Sequence, residues 1–188
     1  INYYRQRFRK FLFLKPAIRN EKAGTILSHF IFISYSSFMP VIHLTTFIAA
    51  PAQRVFDLSR HIGLHKESMT AYNEEAVAGT RMGLIEKDET VTWRAKHLFK
   101  TRLLRVKITQ LEEYYLFTDE QVEGDFKMMR HEHHFKPCDN GTILIDLFEF
   151  ETPYWILGQW LNCLYLTKHM KRLLELRNKT IKEVAEGY

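Results

Sequence analysis

FKMMRHEHHFKPCDNGTILIDLFEFE, residues 126–151, decides the architecture. Two runs with inward- and outward-facing positions flank Pro137-Cys138-Asp139-Asn140-Gly141. Asn-Gly readily adopts the positive φ of a tight hairpin turn, so the stretch reads as two antiparallel strands. Residues 129, 131, 133 and 135 share one face of the first strand, and 142, 144, 146, 148 and 150 share one face of the second. A hairpin symmetric about 138–139 sets His131 across from Asp146 and His133 across from Leu144.

Upstream of this hairpin the two-residue period continues. Val91, Trp93, Ala95 and His97 alternate with Thr92, Arg94 and Lys96, and Leu104, Val106 and Ile108 alternate with Arg105, Lys107 and Thr109. With Tyr115–Val122, residues 89–151 predict a meander of five strands. Downstream of Pro153 the period changes. Residues 154–187 contain no proline and place Leu157, Trp160, Leu161, Leu164, Leu173, Leu174, Ile181 and Val184 at helical spacing, with Gly187 as a natural stop. On the N-terminal side, Val41–Ala49 reads as a strand. Pro51 suits the first turn of a helix carrying Val55, Phe56, Leu58 and Ser59. His61-Ile62-Gly63-Leu64 marks a break before a second short helix, and Gly79 and Gly83 flank a loop or short strand. The order predicts an α+β fold: a curved antiparallel β-sheet wrapped around a long C-terminal helix, with two short helices after the first strand.

Composition narrows the function. Of 188 residues, 46% are apolar and 14% aromatic, ample for a core and against intrinsic disorder. No run approaches the roughly 18–20 apolar residues of a membrane-spanning helix. Two cysteines, Cys138 and Cys163, exclude a disulfide-stapled scaffold and a four-cysteine zinc site, and point to a reducing cytoplasm. The net charge of +5 is concentrated in residues 1–38, where Arg5, Arg7, Arg9, Lys10, Lys15, Arg19 and Lys22 face one acid, Glu21. The other 150 residues carry 20 basic and 21 acidic groups, so nucleic-acid binding by this body is not expected. The expected organisation is a basic leader, 1–38, outside a domain spanning 39–188. Met39 reads as a natural start with the leader as upstream sequence; a surface-docked arm and a targeting segment are the other readings.

From Met39 to Gly187 the chain resembles the SRPBCC superfamily, the START-like or Bet v 1-like helix-grip domains. It is most similar to the bacterial branch labelled polyketide cyclase/dehydrase-like or, loosely, cell-division inhibitor. The resemblance lies in Trp93-Arg94-Ala95-Lys96-His97, Phe117-Thr118-Asp119-Glu120-Gln121 and Gly124-Asp125-Phe126. It continues through His131-Glu132-His133-His134-Phe135, Gly141-Thr142 with Asp146, Pro153, and Arg177-Asn178. Asp125 stands where many relatives carry proline, Met129 where they carry an aromatic, and Tyr154 where they carry glycine. The resemblance implies the helix-grip fold. It does not fix a function, because this superfold hosts carriers, sensors, cyclases and partner-binding modules alike.

His131, His133 and Asp146 form the most suggestive chemistry, since an imidazole beside a carboxylate can act as an acid–base pair. The plainer reading, a cross-strand pair satisfying two buried polar groups, is preferred. A metal site built from His131, His133, His134 and Asp146 is not expected. His134 points away on a strand, and the string lacks the helical spacing of H-E-x-x-H. Neither cysteine has the electropositive neighbour of an activated thiolate, and no glycine loop matches a phosphate-binding pattern. No cofactor or catalytic residue is assigned. The best-supported reading is a binder of a small hydrophobic ligand, held between sheet and helix in a cavity of several hundred Å³. Trp93, His97, Phe117, Phe126, His131, His133 and Asp146 are expected near it. A cyclase-type enzyme using His131 and Asp146 is the alternative, and a protein-interaction module linked to cell division is the third. Ile143, Ile145 and Leu147 make the outer face of their strand apolar, suited to packing on the leader or on the second subunit of a homodimer.

Overall fold

A computed structural model of the protein describes residues 40–97, 99–152 and 159–187, with residues 159–163 described in backbone alone. The basic leader, Met39, Pro153, Tyr154, Trp155 and the side chains of Trp160 and Cys163 lie outside the described residues.

The chain runs through β1 (Val41–Ile48), α1 (Ala52–Arg60), α2 (Ile62–Ser68), a single 3₁₀ turn (Thr70–Tyr72) and β2 (Glu75–Gly79). It continues with β3 (Thr90–His97), β4 (Lys100–Glu112), β5 (Leu116–Glu123), β6 (Met128–Cys138), β7 (Gly141–Glu151) and α3 (Gln159–Glu186). Among the described residues, the strands form one antiparallel sheet in the order β1-β7-β6-β5-β4-β3-β2. Sequence neighbours pair throughout the meander, and β1 closes on β7. Register shifts between Ala76 and Ala78, at Arg105/Val106 and at Ile108/Gln110 are irregularities of the kind that bend a strand and strengthen its twist. This is the helix-grip architecture that the sequence predicts.

Pro51 precedes α1, where its missing N–H costs nothing. His61 separates the two short helices, and its Nδ1 accepts from the Leu64 amide at 3.1 Å, capping α2. At about 1.5 Å per residue, α3 is about 42 Å long. It turns Leu173, Leu174, Arg177, Asn178, Ile181 and Ala185 inward at helical spacing. Gly187 ends it with a φ of 86°.

The β6–β7 hairpin differs in register from the sequence expectation. Cys138 pairs with Gly141 across a loop of Asp139 and Asn140, so His133 faces Asp146, His131 faces Phe148 and Phe135 faces Leu144. The two-residue loop moves the centre of symmetry by one position, which slides every cross-strand partner by two and keeps each side chain on its expected face. Positive φ falls on Gly141, at 155°, rather than on Asn140. A Cβ at Gly141 would lie 2.2 Å from the Ile48 carbonyl oxygen, so the absent side chain lets the turn seat against the end of β1.

Phe56, fully buried on α1, meets Tyr114, Phe117 and Phe135 edge-on at centroid distances of 5.7, 5.9 and 5.2 Å. Burying such a ring contributes about 1.5–3 kcal/mol. It joins α1 to the β5–β6 part of the sheet, beside the polar cluster described next.

Candidate functional site

Alternation on β6 sends His131 and His133 to the same inward face. Asp146 reaches them from β7, Asp119 from β5, and Arg177 and Asn178 from the inward stripe of α3. Asp146 is completely buried and shared by His131, His133, Arg177 and Asn178. Its Oδ1 lies 3.0 Å from His131 Nε2, 2.9 Å from His133 Nδ1 and 3.6 Å from Arg177 Nη1. Its Oδ2 accepts from Asn178 Nδ2 at 2.6 Å, and the same amide donates to Thr46 Oγ1 at 3.1 Å. The opposite nitrogen of His133, Nε2, lies 3.0 Å from Asp119 Oδ1. Arg177 is fixed by a bond from Nη2 to the Ser59 carbonyl at 2.9 Å, with Nη1 3.3 Å from His133 Nδ1. Phe117 stacks on His133 at 4.1 Å, and the two histidine rings sit 3.7 Å apart.

Burial and pairing set the charge states. Burial pushes His131 down to about 4, helped by the neighbouring His133 and opposed by the carboxylates, so the ring is neutral near pH 7. Burial works against ionisation of Asp146, but hydrogen bonds and charges from His131 and His133 outweigh it and hold this carboxyl well below its usual range. Asp119 is lowered for the same reasons, with Arg177 adding to the pull. Burial also lowers Arg177, against the two carboxylates that favour its charge. His133 faces a carboxylate oxygen at each ring nitrogen, with the Arg177 guanidinium also 3.3 Å from Nδ1.

The cluster borders a cavity of about 160 Å³. Its walls include Val91, Trp93, Val106, Ile108, Met129 and Phe148, while Asp119, His131, His133 and Arg177 supply a polar side. This is smaller than the several hundred Å³ expected from the sequence, because the inward aromatics fill much of the space between sheet and helix. A void near 150 Å³ suits a single-ring molecule.

Five of the expected residues line the cavity: Trp93, His97, Phe117, His131 and His133. Asp146 does not; it stands behind the histidines and fixes their rings. Nor does Phe126, which packs on Phe148 and Phe150 at 6.4 and 5.4 Å. His97 shares the inward face of β3 with Trp93, yet its ring neighbours are Tyr72 and His169 rather than the β6 histidines. The expected His131–Asp146 contact exists, but as a diagonal across the ladder, with His133 in the directly opposed position. Asp119, Arg177 and Asn178 were not assigned to the site by sequence reasoning, although each stands in a stretch that carries the family resemblance.

No protein-family model matches the chain, and no curated protein does. Solved structures do. A START superfamily protein from Mycobacterium smegmatis superposes with a TM-score of 0.59 at 13% identity, covering 78% of this chain and 97% of its own. The fold is that of the START and Bet v 1-like proteins. The helix-grip match extends to ginseng major latex-like protein 151 from Panax ginseng (TM-score 0.57, 14% identity, 78% and 97% coverage). It also extends to the Zhui aromatase/cyclase from Streptomyces sp. R1128 (TM-score 0.57, 13% identity, 78% and 96% coverage). No described helix is long and apolar enough to cross a membrane.

Proposed function

We propose that this helix-grip domain binds a small hydrophobic molecule in the cavity between its sheet and α3. The observation that carries the reading is the division of the lining: apolar and aromatic walls, with a fixed polar group on one side. The walls supply contact area, and His131, held by Asp146, turns its remaining ring nitrogen toward the ligand's polar atom. The void matches one ring or a short branched chain carrying one hydroxyl or carbonyl. Similarity to a START superfamily protein and to an aromatase/cyclase agrees with a cavity used for an organic ligand. A binder is favoured over a cyclase-type acid because His131, neutral near pH 7, has its hydrogen engaged by Asp146 and no proton to deliver.

Native mass spectrometry of gently purified protein, followed by denaturing extraction, tests this directly. A stoichiometric organic adduct is the expected result. For protein that emerges clean, amide NMR titration with phenol provides the second arm, with shifts expected at Trp93, Phe117, Met129 and His131. A clean mass together with no cavity shifts at millimolar phenol sinks the reading.

A further inference from the structure

The two β6 histidines and the Asp119 carboxylate converge, and hydrogen bonding leaves His131 Nδ1 incomplete. A carboxylate only accepts, so the short contact from His131 Nε2 to Asp146 Oδ1, 3.0 Å, places that ring's hydrogen on Nε2. In the neutral ring Nδ1 is then a lone pair. It lies 3.9 Å from Asp119 Oδ1, too far for a hydrogen bond. His133 is differently placed: Nδ1 lies 2.9 Å from Asp146 Oδ1 and 3.3 Å from Arg177 Nη1, and Nε2 lies 3.0 Å from Asp119 Oδ1. This ring would ligate by keeping its hydrogen on Nδ1 and exchanging the Asp119 contact for the ion. One potential ligand atom from each of Asp119, His131 and His133 lies within 4.8 Å of the others beside the cavity. A tetrahedral ion bound at about 2.0–2.1 Å holds its donors about 3.4 Å apart, between the two distances seen here.

We propose that Asp119, His131 and His133 form a three-ligand site for a divalent transition metal of the zinc type, with His131 ligating through Nδ1, His133 through Nε2, and a fourth position open to the cavity. Asp146 completes it from behind. One carboxylate oxygen accepting from the far nitrogen of both ligand rings fixes their tautomers and orientation, the role such partners have around histidine-bound metals. These ligands differ from the set dismissed at the sequence level: Asp119 replaces His134 and Asp146, and it reaches the pair from the neighbouring strand. Arg177 also shapes the site. A dication and the guanidinium together exceed the two carboxylates by one charge, so the open position favours an anionic oxygen such as hydroxide, a carboxylate or a phenolate. The metal would take the His131 Nδ1 that the hydrophobic-ligand reading aims at the ligand's polar atom, so the ion would stand between ring and ligand. Zinc uptake is nonetheless read with no organic molecule present, which keeps the two tests apart.

Full-length protein stripped with a chelator and titrated with zinc chloride by calorimetry provides the test. One equivalent is expected, with affinity at least a hundredfold weaker in Asp119→Asn and His131→Gln and unchanged in His134→Gln, whose ring bonds Glu132 on the outer face. Wild-type protein alone gives a second readout that no misfolded variant can confuse. Long-range ¹⁵N NMR of the histidine rings should move the His131 Nδ1 and His133 Nε2 resonances to ligated positions on adding zinc, while His134 stays. No zinc uptake, uptake indifferent to Asp119→Asn and His131→Gln in folded variants, or ring shifts confined to other histidines would each overturn the proposal.

Discussion

Histidines cluster in two places, fully buried on β6 and half-buried around the end of β3, and the two are satisfied differently. On β6, His131 and His133 are held by carboxylates from the strands on either side and by a guanidinium from α3. Where β3 ends, His97 meets Tyr72 at 5.0 Å and His169 edge-on at 5.5 Å, ring against ring. There, His97 Nδ1 and His169 Nε2 are buried with no hydrogen-bond partner among the described residues. His65 is intermediate, stacked on Trp93 at 4.3 Å with Nε2 3.0 Å from Glu74. Burying an imidazole costs free energy in both places. The β6 cluster offsets that cost with paired charge, and the β3 end leaves it standing. An ordered charge network that also faces the cavity is therefore the stronger candidate for function, and the β3 rings act as apolar packing with idle nitrogens.

The comparison is broken most directly at Asp146. Asp146→Ala removes the acceptor shared by His131, His133, Arg177 and Asn178 at once and strands a buried guanidinium. Removing one partner of a buried ion pair costs about 3–5 kcal/mol, the largest effect expected outside the apolar core. Urea denaturation reads it as a lower midpoint at unchanged slope. A loss below about 1 kcal/mol would mean that the network contributes little and that the two places differ in appearance alone.

How much of this contrast was legible follows from the period of a strand. The alternation of residues 129–135 and 142–150 fixed which side chains face inward, and those faces hold in the structure. It could not fix which residues meet, because partner identity depends on the loop closing at Cys138 and Gly141, and sliding partners by two leaves every face unchanged. His131, His133 and Asp146 were thus found without their true pairing. Asp119 and Arg177 escaped for another reason. Asp119 enters through β5 pairing with β6, and Arg177 through the rotation of α3 against the sheet; neither long-range placement is written in local spacing. The cavity's size was equally illegible, being the remainder after the aromatics pack.

A smaller expected effect sharpens the comparison through pH. Unfolded His131 takes its proton near the ordinary value of 6.5, whereas the folded ring takes it only near 4. As pH falls through that window the unfolded state gains a proton that the folded state refuses, so stability is lost progressively from 6.5 down to about 4. At about 1.4 kcal/mol per unit, the loss from this group is on the order of 3 kcal/mol. Asp119 and Asp146, both held below their usual range, add further loss only below about 4. His97 and His169, also lowered by burial, slope the same way with greater solvent access. Stability measured by denaturation in chelator-containing buffer should therefore fall between pH 6.5 and 4, and His131→Gln should flatten most of that fall. An unchanged slope in His131→Gln would assign the pH sensitivity to the β3 end.

The smallest effect, and the finest discrimination, is expected at His97. His97→Leu deletes a buried nitrogen that has no partner and keeps an apolar body against Tyr72 and His169. Replacing an unsatisfied polar group by an apolar one of similar shape is close to neutral or stabilising, so a change within about 1 kcal/mol is expected, in either direction. His133→Leu, the matching substitution on β6, removes a partner of both Asp119 and Asp146 and should cost several times more. The pair of variants, compared by thermal and urea unfolding, holds chemistry constant while the surroundings change. If His97→Leu proved as costly as His133→Leu, the idle nitrogens at the β3 end would have to be engaged in solution, and the contrast between packed and paired histidines would fail there.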